Sequence, residues 1–369
     1  MNLLYCFFDA ANMHRWNDHL CPIDLTELDK QSHKVAIAWM LGKFEESEGN
    51  KIDWRKLIEH SMFSFIQRLI LTDLKPQLFH RIIEERSKEL NAFVMSEFDR
   101  LVPDCNEALR SRLSEYLSAD KSTKEDEIIS AGHYLATNWE FRLIRDMNRS
   151  LYGIDQTEKD IESQLFVHSH LHGFKEMFKR TSFSFMDLFG QLRFQQRWAR
   201  TPRIPKTTVL GHMLMVANMV YLNDLDKGAD DTEVYNDFFR ALFHDLPEVL
   251  TKDVISPVKN SIGGLNQLLE DYERELVESR IMPLLPKEWH DEVRSIIYDP
   301  FGSHPGGRSG YDIKTCDMLA AYMEADMSIR YGIGSKSLRE ARDDLRASLI
   351  SRKGVDTRGL IDAFDRMNV

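Results

Sequence analysis

The sequence predicts an all-α fold, and two observations carry the prediction. Long segments repeat apolar residues at helical intervals, and the alternating β-branched runs that half-buried strands need are scarce. Residues 208–222, "TVLGHMLMVANMVYL", are a near-continuous apolar run with small residues among them, as a buried helix has. In 265–285, Leu265, Leu268, Leu269, Tyr272, Leu276 and Ile281 recur at roughly helical spacing with acids between them. Residues 312–332, "DIKTCDMLAAYMEADMSIRYG", repeat the pattern and stop near Gly332. Two glycine-rich points interrupt the helices. "SIGG" at 261–264 precedes one, and "DPFGSHPGGRSGYD" at 299–312 reads as a loop, either a surface connection or a lid over a nearby site.

Composition bounds the function. A chain of 369 residues favours two domains, or one large one with ample core. Apolar content of 43% and charged content of 29% are those of an ordinary globular protein. The net charge of -11 argues against a partner such as nucleic acid or an anionic membrane, since both call for a basic surface. It leaves room for a small phosphate-bearing partner, because one arginine can dominate a cleft. Cys6, Cys21, Cys105 and Cys316 form no CxxC pair, which suits a reducing compartment. No stretch reaches the roughly 18 apolar residues of a membrane span, and "MNLLYCFFDAANMHRW" lacks the basic start and long apolar stretch of a signal peptide. The expected location is the cytoplasm.

The chain also carries an internal likeness. "HRWND" at 14–18 matches "QRWAR" at 196–200, and "SHKVAIA" at 32–38 matches "GHMLMVA" at 211–217. "SAGHYLATNWEFRLIRDMN" at 130–148 matches "KTCDMLAAYMEADMSIRYG" at 314–332 in the same order. His60 precedes His133 by 73 residues, and His244 precedes Asp317 by 73. The offset between halves is 179 at His33/His212 and 184 at the two later points. A duplication is expected, with domains at 1–165 and 181–369 joined by 166–180.

The second half holds a set of residues that points to a metal. His244 and Asp245 are adjacent on one helix, about 100° apart in projection, so both can face one ion. His212 and Asp317 lie in apolar stretches of two other predicted helices. A buried imidazole or carboxylate must be paired or bind metal. Two neutral imidazoles and two carboxylates would neutralise a divalent cation and leave positions open for water and substrate. Such an ion lowers the pKa of water and polarises a phosphoryl oxygen. Glu248, four residues past His244, shares its helical face and is placed to act as general acid or base. Pro247 is expected to kink the helix between them. Asp253 is the second candidate for proton handling, and Arg197 offers a planar cation for a phosphate.

The order His…His-Asp…Asp in a helical chain resembles the HD-domain metal-dependent phosphohydrolases. The closer likeness is to the bacterial HD-domain 5′-deoxynucleotidases, across about 180–350. It is carried by "RW" at 197–198, fifteen residues before His212 is reached, by "HDLPEVLTKDVISPVK" at 244–259 and by "KTCDMLAAY" at 314–322. The resemblance implies that His212, His244, Asp245 and Asp317 are metal ligands, and that Glu248 is the catalytic acid/base assisted by Asp253. It also implies that Arg197 binds phosphate, with Trp198 near the nucleotide. The expected reaction is hydrolysis of a nucleoside monophosphate. Hydrolysis of di- or triphosphates is the rival enzymatic reading, and a nucleotide-sensing regulatory protein is the rival from another class. The cofactor would be a divalent ion among Mn, Co, Fe, Ni and Zn. Leu210-Gly211 stands where this family often has a Ser-Glu pair, and the family's members usually have one such unit rather than two.

In the first half, His33, His60, Ser61 and His133 are the positions expected to match the ligands, with Arg15-Trp16 matching Arg197-Trp198. Ser61 and His133 replace the two aspartates, and Ser64 stands at Glu248. Three imidazoles can hold zinc, so His33, His60 and His133 are either a vestigial metal site or residues of a degenerate unit. The two units are expected to pack as a pseudo-dimer within the chain. "FVHSHLHGF" at 166–174 reads as the connection, with His168 and His172 a weaker metal pair.

Overall fold

The computed structural model describes residues 2–72, 76–251, 265–303 and 306–366. Among these residues the protein is all-α, and two isolated β-bridges, His14 to Thr26 and Gln196 to Thr208, are its only extended pairings. The N-terminal half contains α1 (Asn2–Asp9), α2 (Glu27–Ser47), α3 (Trp54–Leu71), α4 (Pro76–Leu101), α5 (Glu107–Ser118) and α6 (Lys124–Ile144). Then follow α7 (Ile154–Val167), α8 (His172–Met177) and α9 (Arg180–Gln191). The C-terminal half contains α10 (Val209–Asp226), α11 (Asp231–Phe243), α12 (Glu248–Thr251), α13 (Leu265–Leu276), α14 (His290–Ile297), α15 (Gly310–Arg330), α16 (Lys336–Ser351) and α17 (Thr357–Arg366).

The helices predicted at 208–222 and 312–332 are α10 and α15. The one predicted over 265–285 stops early. The α-helix ends at Leu276 and the chain passes through a wide turn (Val277–Ile281) into a tight one (Met282–Leu284). Pro283 and Pro286 lack the amide a regular helix needs, so apolar spacing there outruns the helix itself. "SIGG" at 261–264 lies outside the described residues.

Two helices form the centre. α2 and α10 are each buried on nearly every side, packed against one another and flanked by α6 on one hand and by α11 and α15 on the other. Polar contacts also join the halves. Trp39 Nε1 donates to Tyr235 Oη at 3.0 Å, Tyr221 Oη to Glu59 Oε1 at 2.7 Å, and Lys43 Nζ to Glu292 Oε2 at 2.8 Å. Thr208 Oγ1, at the cap of α10, donates to Asp29 Oδ1 of α2 at 2.6 Å. Gly211 makes this approach possible, because a Cβ there would lie 2.8 Å from Asp29 Oδ1.

The expected connection at 166–180 is largely helical, made of the end of α7, α8 and the start of α9. Its histidines diverge. His168 Nε2 lies 3.1 Å from Ser130 Oγ, His170 Nε2 is 2.5 Å from Glu127, and His172 Nε2 is 3.3 Å from Glu48. His168 and His172 therefore do not act as a pair.

Candidate metal centre

Two helix ends and the body of α15 deliver the site. Thr208 caps α10, accepting from the Gly211 amide, and the His212 amide donates to the Thr208 carbonyl at 3.1 Å. This holds His212 in the first turn, its side chain fully enclosed. α11 starts on a capping box between Asp230 and Glu233 and ends at Phe243. Pro247 has no amide and crowds the carbonyl four residues before it, so the expected kink is a full stop. Residues 244–247 form turns, and α12 restarts at Glu248. His244 and Asp245 thus sit at an open helix end, facing Asp317 of α15.

The structure brings three of the four expected ligands into one group. One donor atom from each of His212, His244 and Asp317 lies within 4.8 Å of the others. His212 Nε2 is 3.0 Å from Asp317 Oδ1, and His244 Nε2 is 3.9 Å from the same oxygen. Asp245 stands beside that group, with its Oδ2 3.1 Å from His244 Nε2. His244 Nδ1 lies 2.7 Å from the Ala241 carbonyl and can donate only to it, so the neutral ring has its lone pair on Nε2. That buried Nε2 has no well-formed hydrogen bond of its own. A lone pair aimed at two carboxylates calls for a cation between them, so the donor set suits a divalent ion.

The electrostatics agree. Burial pushes the Asp245 carboxyl up, but His244 and His212 outweigh it and hold it below the usual range. Burial likewise opposes ionisation of Asp317, and its hydrogen bond to His212 and the Lys314 ammonium hold it well down. For His212, burial and Arg197 favour the neutral imidazole that a metal needs. His244 differs. Burial pushes it down, yet Asp245 and Asp317 raise it above its ordinary value.

The loop at 299–312 is tied to this site. The Phe301 ring packs on His244 at 5.8 Å, and Lys314 Nζ, which donates to Asp317 Oδ2 at 2.7 Å, lies over the same ring. Asn236 Nδ2 donates to the Gly306 carbonyl at 2.8 Å, and the Arg308 amide donates to Asp237 at 2.8 Å. The described part of the loop is thus an anchored wall.

Glu248 opens α12, and Gln195 Nε2 fixes its carbonyl at 2.8 Å. Its carboxylate lies within electrostatic reach of Arg197. Asp253 lies outside the described residues. Arg197 sits at the rim, its side chain 17% exposed, with Nη1 3.7 Å from Asp245 Oδ2. Trp198 beside it takes a positive φ of 56°, a strained conformation for a bulky residue.

Both depend on a residue the sequence reading passed over. Buried Glu324 accepts from Arg197 Nε at 3.2 Å, from Trp198 Nε1 at 2.8 Å and from Thr207 Oγ1 at 2.6 Å. The signal was present, since Glu324 lies seven residues past Asp317 on the same helical face and aligns with Glu140 in the matched segments. Glu324→Ala leaves Arg197 with one distant carboxylate and is expected to lower stability by about 3 kcal/mol or more. Urea unfolding of the two proteins measures it, and a change under about 1 kcal/mol would refute the anchoring role.

The first half repeats this arm but not the ligands. Trp16 also has φ 56°, Trp16 Nε1 donates to Glu140 Oε2 at 3.0 Å, and Arg15 Nε donates to the same oxygen at 2.8 Å. Thr26 caps α2 as Thr208 caps α10, and the Lys30 amide bonds the Thr26 carbonyl as that of His212 bonds Thr208. Lys30, and not His33, therefore holds the His212 place. The offset of 179 expected at His33 is off by three residues, which turns a helical side chain to another face. Counted from the capping Asp53 and Asp230, the places of His244-Asp245 fall to Gln67-Arg68 rather than His60-Ser61.

The expected trio His33, His60 and His133 does not assemble. His33 Nε2 lies 3.0 Å from the Met186 carbonyl and its ring meets Trp139 edge-on. Burial and Arg193 push its pKa down to about 3. His60 Nδ1 lies 2.6 Å from Asp126 at the start of α6. His133 contacts Lys30 Nζ. With α3 continuous to Leu71, no helix end opens toward these residues as it does at His244.

Parts of this chain are similar to known proteins. The HD-domain family model matches residues 189–304, which include His212, His244 and Asp245. A 5′-deoxynucleotidase of Shewanella oneidensis is 26% identical over 181 residues, covering 47% of this chain and 88% of that protein. A 5′-deoxynucleotidase of Pasteurella multocida is 22% identical over 191 residues, covering 49% and 91%. Among solved structures, an HD-domain phosphohydrolase of Listeria innocua is similar over 45% of this chain and 78% of its own, with 18% identity and a TM-score of 0.39. Residues 189–304 thus match the HD domain, and bacterial 5′-deoxynucleotidases are among the proteins this chain is similar to.

Proposed function

We propose that this chain is a metal-dependent phosphohydrolase that cleaves the phosphomonoester of a nucleoside monophosphate. The observation that carries the reading is the convergence of His212, His244 and Asp317 within 4.8 Å, with Arg197 at the rim 3.7 Å from Asp245. The low-identity likeness to 5′-deoxynucleotidases supports the substrate class.

His212, His244, Asp245 and Asp317 would hold the ion. When bound, a divalent ion there lowers the pKa of water and polarises a phosphoryl oxygen. Arg197 binds the phosphate dianion and is held for that task by Glu324. Trp198 flanks the nucleotide. Glu248 takes the proton of the attacking water as the new P–O bond forms, and a proton from the same carboxyl, or from Asp253, reaches the leaving oxygen as the ester P–O bond breaks. The first half, 1–165, is a repeat of the same unit without the hydrolytic set, joined through 166–180 to 181–369 and packed on it as an intrachain pseudo-dimer. The matching Arg15-Trp16-Glu140 arm and the α2–α10 contact support this.

Phosphate release from nucleoside mono-, di- and triphosphates, with Mn, Co, Fe, Ni or Zn supplied singly, tests the reading. The expected product is inorganic phosphate from monophosphates. Pyrophosphate or triphosphate release instead would reassign the reaction, and no release with any metal would overturn it.

A further inference from the structure

At the place where the second half collects acceptors for a cation, the first half collects basic side chains. Lys30 stands at the His212 place, Arg68 at the Asp245 place and His133 at the Asp317 place. Lys34, one turn beyond Lys30, joins them, and both ammonium groups are fully enclosed. Lys34 Nζ donates to Ser64 Oγ at 2.9 Å and to the Ser61 carbonyl at 3.3 Å. Among the described residues, the one hydrogen-bonding contact of the Lys30 ammonium is His133. Among the described residues, no carboxylate lies within ion-pairing distance of either lysine. The nearby acids are engaged elsewhere, Glu27 by Arg15, Gln31 and, at 3.8 Å, Arg68, and Glu140 by Arg15, Trp16 and Arg193.

An enclosed ammonium without a counter-charge is costly, and an anion arriving between two of them relieves that cost. We propose that the first half binds a phosphate group between Lys30, Lys34 and Arg68, without hydrolysing it. The ligand is a phosphate dianion, either free phosphate or the phosphate end of a nucleotide. Ser64, Arg68 and His133 are only half-buried, so the site is reached from their side. The ammonium groups take the part that the ion takes in the second half, and Leu71, equivalent to Glu248 when counted from the capping aspartates, offers no proton carrier. Burial pushes the Lys34 pKa down to about 7 and that of Lys30 well below its ordinary value. Phosphate binding should therefore be accompanied by proton uptake near pH 7.5.

The test uses the full chain stripped of metal by a chelator, which keeps it independent of turnover. Calorimetric titration with inorganic phosphate, and separately with a nucleoside monophosphate, should show a binding event whose heat varies with the ionisation enthalpy of the buffer. Lys34→Met should weaken it by about tenfold or more. Phosphate should also raise the melting temperature of the parent and not of the variant. Equal affinity for both probes identifies free phosphate as the ligand, and preference for the monophosphate identifies a nucleotide. The proposal fails if neither probe binds the metal-free chain. It also fails if Lys34→Met and Lys34→Gln, folded by circular dichroism, bind as the parent does.

Discussion

Asp317→Ala is expected to strip the ion from the chain and to lower turnover by about a thousandfold or more. Asp317 is where the three helices meet, since His212 is 3.0 Å and His244 is 3.9 Å from the same oxygen. Its removal withdraws a negative ligand and releases Lys314, which now donates to it at 2.7 Å. An ion in this setting contributes several kcal/mol of charge stabilisation, and each 1.4 kcal/mol is a factor of ten. Metal content by elemental analysis and phosphate release should fall together. A variant that keeps a full equivalent of metal would show that Asp317 is not a ligand. Asp245→Ala should behave alike, with a further effect on the rim, because Asp245 also faces Arg197.

Glu248→Gln is expected to separate the two properties. Metal content should stay near that of the parent, while turnover falls by about 10²–10⁴-fold, the range for loss of a general acid or base. Glutamine keeps the shape of the side chain, and the Gln195 bond to the Glu248 backbone carbonyl is unaffected, so the start of α12 should hold. The kcat should drop with KM nearly unchanged, since the carboxylate is assigned to proton movement and not to holding substrate. Full turnover in this variant would remove Glu248 from the mechanism. Loss of metal would instead make it a ligand.

Much of the site was legible because it is written in short range. His244, Asp245 and Glu248 lie within five residues, and Pro247 between them announced a break that the structure turns into the end of α11. His212 and Asp317 stood out because a polar residue in an apolar helix must have a partner. Glu324 did not stand out, although it obeys the same rule. Its partners Arg197, Trp198 and Thr207 come from an irregular segment more than a hundred residues away, and no periodicity links the two. In the first half the matched histidines misled for a related reason. Identity of residue type drew His33 onto His212, whereas the equivalence is defined by the capping threonines Thr26 and Thr208.

The sequence by itself determined that the chain is helical, that its second half has the residues of a metal centre, and that two halves resemble one another. Helical periodicity, proline chemistry and the need to pair buried polar groups are local, and the chain displays them residue by residue. Tertiary structure decided which polar groups meet. Side chains 105 residues apart, as His212 and Asp317 are, touch because α10 and α15 pack at one angle and register. The same packing sets Lys30 against His133 in the first half and sends His33 and His60 elsewhere. A shift of three residues along a helix rotates a side chain by about 300°, so a small error in register separates an assembled site from scattered histidines.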